Sequence, residues 1–341
     1  MQPTATGLPF DDIRHLISTM PGPDVAAREA AQERQGQLLK PPGALGRLED
    51  IAVHLAAWQG KAMPTIDRPM VAVFAGTHGV SARGVSPYPA SVTKEMLAAF
   101  TAGKAAINQI CAAFDAGLRV FDLALDIPTG DITCEAALDE RACAATMAFG
   151  MQAIAGGADV LVLGEMGIGN TTVAAAVCHG LYGGAAEDWV GAGTGATGDV
   201  MARKVAAVRE AVFFHKEGLS DPLEVLRRLG GRELAAIAGA ILSARHEKVP
   251  VILDGYVVTA AAAVLHALDP SALDHCLAGH VSAEQAHGRL LEKLGLNPLL
   301  DLGMRLGEGS GGGLAIGVVK AAVACHKGMA TFAEAGVSGA G

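Results

Sequence analysis

Short apolar runs alternate with longer helical segments along the chain after residue 69. The runs are continuous, as in buried parallel strands, and they lie at 70–76, 118–126, 158–167, 249–255, 273–280 and 298–304. Segments long enough for helices separate them, at 91–113, 134–155, 171–181, 199–216, 232–246, 259–268 and 283–294. This alternation predicts right-handed crossovers and an α/β fold with a doubly wound, mostly parallel sheet.

Both ends of the chain have a helical pattern instead. Asp24 is placed to cap a helix from Val25 to Leu39, and a second helix is expected from Leu45 to Gly60. The tail from Ala315 to Ala335 is apolar at helical spacing. We expect it to pack with the N-terminal helices. The pattern therefore predicts a sheet domain at 66–314 and a small helical domain at 1–65 plus 315–341.

Composition narrows the class of protein. The 341 residues are 51% apolar and carry a net charge of −9, with no cluster of Lys and Arg, which argues against nucleic-acid binding. No apolar run reaches the roughly 18 residues of a membrane span. The N-terminal segment lacks the pattern of a signal peptide, and the six cysteines form no CxxC pair. We expect a cytoplasmic protein with reduced cysteines and no membrane association.

Unusual residues follow the predicted strands. They are Thr77-His78-Gly79, Gly164-Glu165-Met166-Gly167, Asp254-Gly255, His280-Val281-Ser282 and the loop around Glu308. Ligands of doubly wound sheets bind beyond the carboxyl ends of the strands. The sequence therefore predicts a functional site at this edge. For His78, a catalytic acid or base and a structural histidine both remain open.

Glu308 is the single acid inside a glycine run from Leu306 to Gly313. Glycines let the backbone bend tightly and approach a ligand closely. The following apolar stretch places a helix N-terminus nearby, which favours anions. A catalytic base acting on a phosphorylated substrate is one interpretation. A flexible surface loop with one solvated carboxylate is the other.

The segment GEMGIGNT, residues 164–171, has the glycine spacing of a P-loop, but Asn170 stands where a P-loop has lysine. An NTPase is therefore not indicated. Gly167, Gly169 and the amides of Asn170 and Thr171 are placed to hold one phosphate at the start of the next helix. A plain helix start capped by threonine is the alternative.

Two further patterns are ambiguous. GTGATG, residues 193–198, matches GxGxxG but follows no strand, so an active-site loop is favoured over a dinucleotide site. Lys204 either reaches a phosphate or carboxylate or is a solvated helix lysine. His280, Ser282, Glu284 and His287 resemble a metal cluster, yet Ser282 is better placed to cap a helix beginning at Ala283. We predict no metal and place Ser282 near phosphate.

Long blocks of the chain, in order, resemble one family. They are KPPGALGRLE (40–49), THGVSARGVSPYPASVT (77–93), GEMGIGNTT (164–172), GAGTG (191–195), LDGYVVTAAA (253–262), HCLAGHVSAEQAH (275–287), LLDLGMRLGEGSGGGLA (299–315) and MATFAEAGV (329–337). The sequence is similar to the nicotinate-nucleotide–dimethylbenzimidazole phosphoribosyltransferase family, which acts in assembly of the nucleotide loop of cobalamin.

The resemblance implies a homodimer with a Rossmann-like sheet domain and a helical domain from both termini. It implies transfer of phosphoribose from nicotinate mononucleotide to 5,6-dimethylbenzimidazole, without a cofactor. It also implies roles for particular residues. By that resemblance Glu308 is the general base and Glu165 a second acid, Gly167, Lys204 and Ser282 hold phosphate, and Ser86, Tyr88, Met166 and Leu306 form the pocket for the base. The glycines around Glu308, Gly307 among them, are expected to let the backbone approach the ribose.

The chain departs from the family pattern at a few positions. The family usually has Asp where Thr77 precedes His78, and glycine where Lys104 follows Gly103. The first departure puts in doubt any role for a carboxylate beside His78. Two other classes stay open on the residues alone: an NAD-dependent oxidoreductase that uses the loop at 193–198, and a non-catalytic nucleotide-binding regulator.

Overall fold

The computed structural model describes residues 7–338. Six strands form one sheet: β1 Pro69–Ala75, β2 Gly117–Asp122, β3 Val160–Met166, β4 Val251–Leu253, β5 Cys276–His280 and β6 Pro298–Leu300. The helices are α1 Pro9–Ser18, α2 Val25–Gln37, α3 Arg47–Gln59, α4 Val92–Thr101, α5 Ala106–Ala113, α6 Glu140–Gly150, α7 Asn170–Tyr182, α8 Gly198–His215, α9 Pro222–Leu229, α10 Arg232–His246, α11 Tyr256–Leu268, α12 Gln285–Leu294, α13 Ser310–Gly328 and α14 Phe332–Ala335.

The sheet has the order β2-β1-β3-β4-β5-β6, and every neighbouring pair is parallel. The strand order reverses between β1 and β3, where Ala75 pairs with Met166 at the carboxyl ends. This is the doubly wound arrangement that the alternation of strands and helices predicted. Such a reversal leaves a crevice at the carboxyl edge of the sheet, where ligands bind.

Helices cover both faces of the sheet, because alternate strand residues point to opposite sides. Leu161 and Leu163 of β3 join a core with α6, α7, α10 and α11. Val160 and Val162 of the same strand join a second core with α3, α5 and α13. Period-2 alternation over residues 160–163, the apolar part of this strand, thus supplies both cores.

The N-terminal helices are tied to the C-terminal tail. Arg34 of α2 donates to the backbone oxygens of His326 and Met329, and the Leu39 amide donates to the Ala330 oxygen. In α3, Leu55 shares a core with α13 and with the sheet. We propose a boundary between sheet and terminal helices at 65/66 and 314/315, with α13 spanning both parts.

Several expected boundaries were wrong. The helix expected over 91–113 is split into α4 and α5, since Gly103 adopts a φ of 72° there. Helix α9 was missed; Asp221 caps it, and Leu223 and Leu226 anchor it in the core. Ser282 does not cap a helix at Ala283. It accepts a hydrogen bond from the Glu284 amide, and α12 begins at Gln285.

Helices α6 and α10 touch backbone to backbone. A Cβ built on Gly239 of α10 would lie 1.9 Å from the Met147 oxygen, and one on Gly150 of α6 would lie 1.9 Å from the Ala236 oxygen. Backbone atoms cannot rotate away as side chains do. The close packing of α6 on α10 therefore depends on these two glycines.

We expect Gly239→Ala to lower the free energy of unfolding by about 3 kcal/mol, because overpacking here must move a helix. Gly288→Ala is the matched control: Gly288 lies inside α12 with open space around its Cα. That change should stabilise the protein by about 0.5–1 kcal/mol. Urea unfolding of both variants measures the difference, and equal effects would contradict the contact.

Candidate active site

A pocket opens at the carboxyl edge of the sheet, beside the reversal of strand order. It encloses about 580 Å³ of space outside the protein atoms, including its mouth. Eight of the residues predicted for the site line it: Glu165, Met166, Gly167, Asn170, Thr171, Ser282, Leu306 and Gly307. Loops after β3, β5 and β6 are thus brought together as the strand ends suggested.

Glu308 lies directly behind this lining. Its φ of 64° is unusual for a residue with a side chain, and such strain is often kept at functional sites. The residue is 4% exposed, and its Oε2 is buried without a hydrogen-bond partner. Burial raises the pKa of its carboxyl, although the backbone of Ile107 at the start of α5 opposes this with a hydrogen bond. Glu308 is therefore a buried carboxyl, and the surface-loop interpretation was wrong.

Glu165 is the acid that reaches the pocket wall. Burial first, and then the negative charges of Asp254 and Glu233, raise its pKa to about 8. The Asn170 side chain donates to its Oε2 and opposes the shift. Its backbone oxygen accepts a hydrogen bond from the Glu308 amide at 3.2 Å. The two acids predicted from sequence are thus joined through the backbone, and Glu165 is mainly protonated at neutral pH.

Asp254 organises the Glu308 loop. Its Oδ2 accepts a hydrogen bond from the Gly309 amide at 3.1 Å, and its Oδ1 accepts one from the Gly312 amide at 2.8 Å. These amides belong to the start of α13, where a carboxylate is favourable. The sequence marked Asp254 only as a strand-end residue. Its role depends on how β4 lies against α13, which no local pattern shows.

The segment from Gly167 to Thr171 leads into α7 with the geometry expected of an anion site. Gly169 has a φ of 95° and precedes the first turn. The Asn170 amide, which the sequence suggested for phosphate, donates instead to the Gly167 oxygen at 3.1 Å. Thr93 holds the segment from below by accepting a hydrogen bond from the Ile168 amide at 3.0 Å. Gly169 itself packs on Ser81, outside the pocket.

Lys204 is buried behind the pocket rather than solvated. Its Nζ donates to Thr171 Oγ1 at 3.0 Å and to the Gly191 oxygen at 2.7 Å. Burial lowers the pKa of this amine to about 8, and the charge of Glu284 opposes the shift. Glu284 in turn accepts a hydrogen bond from the Gly193 amide at 2.6 Å. Lys204 and Glu284 therefore hold the glycine loop at 191–195 in place through hydrogen bonds to its backbone.

Arg305 was missed by sequence reasoning. It lines the pocket and donates from Nη1 to the Gly193 oxygen at 3.0 Å. An arginine in a loop carries no pattern of its own, and only the fold places it beside the glycine loop. Arg305 and Lys204 supply positive charge at this end of an otherwise acidic pocket.

The residues expected to bind the base are less closely grouped. Met166 and Leu306 line the pocket. Ser86 lies 3.5 Å from the hydroxyl of Thr194, which also lines it. Tyr88 is 52% exposed, and its amide donates to Ser86 Oγ. The structure shows no contact between Tyr88 and the pocket.

A larger groove, of about 1200 Å³ including open solvent, lies at the amino ends of the strands beside Arg68 and His246. None of the predicted site residues lines it. Within residues 7–338, no group of three or more His, Cys, Asp or Glu is arranged to hold a metal ion. No helix in this part of the chain is long and apolar enough to cross a membrane.

Comparisons with known proteins identify the fold and the family. A family model described as phosphoribosyltransferase matches residues 20–337. A nicotinate-nucleotide–dimethylbenzimidazole phosphoribosyltransferase of Sinorhizobium medicae is 69% identical over 335 residues, 98% of this chain and 99% of the relative. One from Brucella anthropi is 66% identical over 336 residues, 98% and 99% of the two chains.

A crystal structure of the corresponding protein from Thermus thermophilus superposes with a TM-score of 0.86 at 40% identity, covering 93% of this chain and 100% of that one. The chain belongs to the nicotinate-nucleotide–dimethylbenzimidazole phosphoribosyltransferase family. It is therefore an enzyme of the phosphoribosyltransferase class.

The departure from the family pattern at Thr77 leaves a carboxylate beside His78 after all. Glu233 of α10 places its Oε1 2.7 Å from His78 Nε2. Thr77 instead donates to the Leu125 oxygen at 3.3 Å. Nothing in the structure explains the lysine at 104.

Glu165 generates a prediction on stability. Its folded-state pKa of about 8 lies above the ordinary value of 4.5, so between these pH values the folded protein holds a proton that the unfolded chain has lost. Stability therefore falls as pH rises through this window, by up to about 1.4 kcal/mol per pH unit. We expect Glu165→Gln to flatten that slope in urea unfolding between pH 5.5 and 7.5. Glu29→Gln, an exposed control on α2, should leave it unchanged, and an unchanged slope in both would contradict the burial of a neutral Glu165.

Proposed function

We propose that the enzyme transfers the 5-phosphoribosyl group of nicotinate mononucleotide to 5,6-dimethylbenzimidazole, giving α-ribazole 5′-phosphate and nicotinate. The observation that carries the proposal is the convergence of Glu165, Asp254 and Glu308 at one edge of the sheet, with Lys204 and Arg305 beside them. An acidic wall suits a sugar carbon that becomes positive. The cations suit the phosphate of the same substrate. Relatives named for this reaction support the choice of substrates.

The leaving group needs no acid. In nicotinate mononucleotide the glycosidic ring nitrogen is positively charged. It departs with the electron pair of its bond to the sugar carbon and becomes a neutral pyridine nitrogen. The sugar carbon acquires oxocarbenium character as this bond breaks. Carboxyl oxygens of Glu165 and its neighbours stabilise that charge.

Glu308 is the proposed general base. The acceptor attacks the sugar carbon through the lone pair of one imidazole nitrogen, and the ring must then lose the proton from its other nitrogen. Glu308 has a carboxyl oxygen without a partner, and its raised pKa makes it a stronger base than a solvated glutamate. Attack opposite to the departing nicotinate inverts the anomeric carbon from β to α.

The phosphate is proposed to lie at the start of α7. Gly167, Gly169, Asn170 and Thr171 form the turn and its first amides, Ser282 lines the opposite wall, and Lys204 holds Thr171 from behind. Gly307 has no side chain, and a Cβ there would lie 2.5 Å from Glu165 Oε1. It leaves room for the ribose beside both acids. Orientation of this kind contributes strongly to reactions between two bound substrates.

We further propose that the enzyme acts as a cytoplasmic homodimer without a cofactor. Leu306 at the pocket mouth is 57% exposed, and Tyr88, close to Ser86 in sequence, is 52% exposed. Coverage of this mouth by a second subunit would complete the wall for the base that Ser86, Tyr88, Met166 and Leu306 begin. An NAD-dependent oxidoreductase is disfavoured because the loop at 193–198 does not follow a strand, as a dinucleotide-binding loop would.

Separation of products after incubation with nicotinate mononucleotide and dimethylbenzimidazole tests the reaction. The native enzyme should release nicotinate and α-ribazole phosphate in equal amounts. Glu308→Gln should lower kcat by about 10²–10⁴-fold, the usual contribution of a general base, with little change in binding of the mononucleotide. Glu29→Gln should behave as the native enzyme. Near-native turnover by Glu308→Gln would refute the role of Glu308, and binding without nicotinate release by the native protein would favour a regulator.

Lys204→Met tests the phosphate site. We expect KM for nicotinate mononucleotide to rise by about 10–100-fold and kcat to change less, because the change releases Thr171 and removes a positive charge behind the proposed phosphate site, which affects substrate and transition state alike. Lys320→Met is the matched control, because Lys320 also donates to a backbone oxygen, that of Phe114 at 2.6 Å, away from the pocket. A fall in kcat with unchanged KM would contradict a phosphate role.

A further inference from the structure

A second acid–base pair lies beneath the pocket floor. His78 follows β1, and Glu233 is in the first turn of α10; their side chains are 1% and 0% exposed. His78 Nε2 and Glu233 Oε1 are 2.7 Å apart but lack hydrogen-bond geometry, so all four polar atoms of the two side chains are buried without a hydrogen-bond partner. Burying such groups is unfavourable unless they are paired, so the pair must serve the structure or the site.

Glycines close around this pair on three sides. A Cβ on Gly76 would lie 2.3 Å from Glu233 Oε2, and one on Gly231 would lie 2.5 Å from His78 Cε1. A Cβ on Gly167 would lie 3.0 Å from His78 Nε2. Gly167 is the residue that turns from β3 toward the proposed phosphate site. The imidazole of His78 therefore packs against this turn.

The pair also acts on Glu165 through its charge. Glu233 is one of the negative groups that raise the pKa of Glu165. The His78 imidazole, with Nε2 2.7 Å from Glu233 Oε1, is placed to offset that negative charge. Without His78, an unneutralised carboxylate would face both Glu165 and a phosphate bound at Gly167.

We propose that His78 and Glu233 are a positioning pair, which holds the Gly167 turn in place and keeps the field at Glu165 and at the substrate phosphate from becoming more negative. The proposal rests on the proposed function for the phosphate. Neither residue touches substrate. The role follows from the ion pair, its complete burial and the three glycines that enclose it.

Other charged groups around Glu165 are the same in every variant below. They are Asp254 after β4, His280 at the end of β5, Glu284 before α12, Arg305 and Glu308 before α13, and Lys204 on α8. Because they stay in place, a change in the apparent pKa between variants reports the pair.

The test is a cycle of His78→Gln, Glu233→Gln and the double variant, assayed for kcat/KM with nicotinate mononucleotide from pH 6 to 9.5. We expect His78→Gln to raise the apparent pKa near 8 by about 0.5–1.5 pH units and to raise KM about 10-fold, since a unit charge close by has this effect. Glu233→Gln should lower the apparent pKa. The double variant should return it to the native value, because both charges are gone.

His326→Gln is the control for loss of a buried imidazole; His326 bonds Gln35 and the Ala62 oxygen, among the terminal helices. It should leave the pH profile unchanged. Shifts of equal sign in the two single variants, or none, would overturn the proposal. If His78→Gln does not fold, Glu233→Gln still decides, because an upward or absent shift contradicts the pair.

The pH dependence of urea unfolding gives a second measurement that needs no substrate. The pH at which its slope levels off is set by the folded-state pKa of Glu165. That pH should rise in His78→Gln and fall in Glu233→Gln. Native protein that shows no transfer of phosphoribose would refute the proposed function alone. Native turnover with identical pH profiles in all variants would refute the pair alone.

Discussion

The hold of Asp254 on the first turn of α13 is the contact on which the site depends. One carboxylate at the end of a central strand accepts hydrogen bonds from Gly309 and Gly312, at 3.1 and 2.8 Å. These bonds join a loop from the far end of the chain to the middle of the sheet. Glu308, immediately before them, has a left-handed backbone conformation and a buried carboxyl. Without this contact the glycine run would be free to move, as glycine runs usually are.

The second feature of the site is the close packing of several acidic side chains. Glu165 responds to burial and to Asp254, Glu233 and Glu308, and it keeps a proton at neutral pH as a result. Surroundings alone can thus give chemically identical carboxyl groups different pKa values and different roles. Positive charge is kept to the side of the pocket where Lys204 and Arg305 meet the loop at 191–195. The arrangement separates the region for a positive sugar from the region for a negative phosphate.

Sequence patterns predicted the features of the fold that depend on interactions between residues close in sequence. The helix over 232–246 was found at its expected bounds, since continuous small apolar residues and flanking charges define it. The strand ends were also placed well enough to bring Glu165, Ser282 and Gly307 to one pocket. Contacts between distant segments were not predictable. Asp254 and Glu233 gain their partners from strand order and helix packing, and Arg305 from the path of one loop. Tight glycine contacts such as Gly239 on Met147 likewise carry no local signal.

The two ends of the chain complete one another. Leu55 of α3 packs in a core with Ile316 and Val319 of α13, and Arg34 of α2 holds the backbone at 326–329. During synthesis the ribosome makes these N-terminal helices first, yet their partners emerge last. Their apolar surface therefore stays exposed to solvent until nearly all of the sheet has been translated. Glu308 lies immediately before α13, so the nascent enzyme acquires its hydrophobic closure and its proposed base in a single late event.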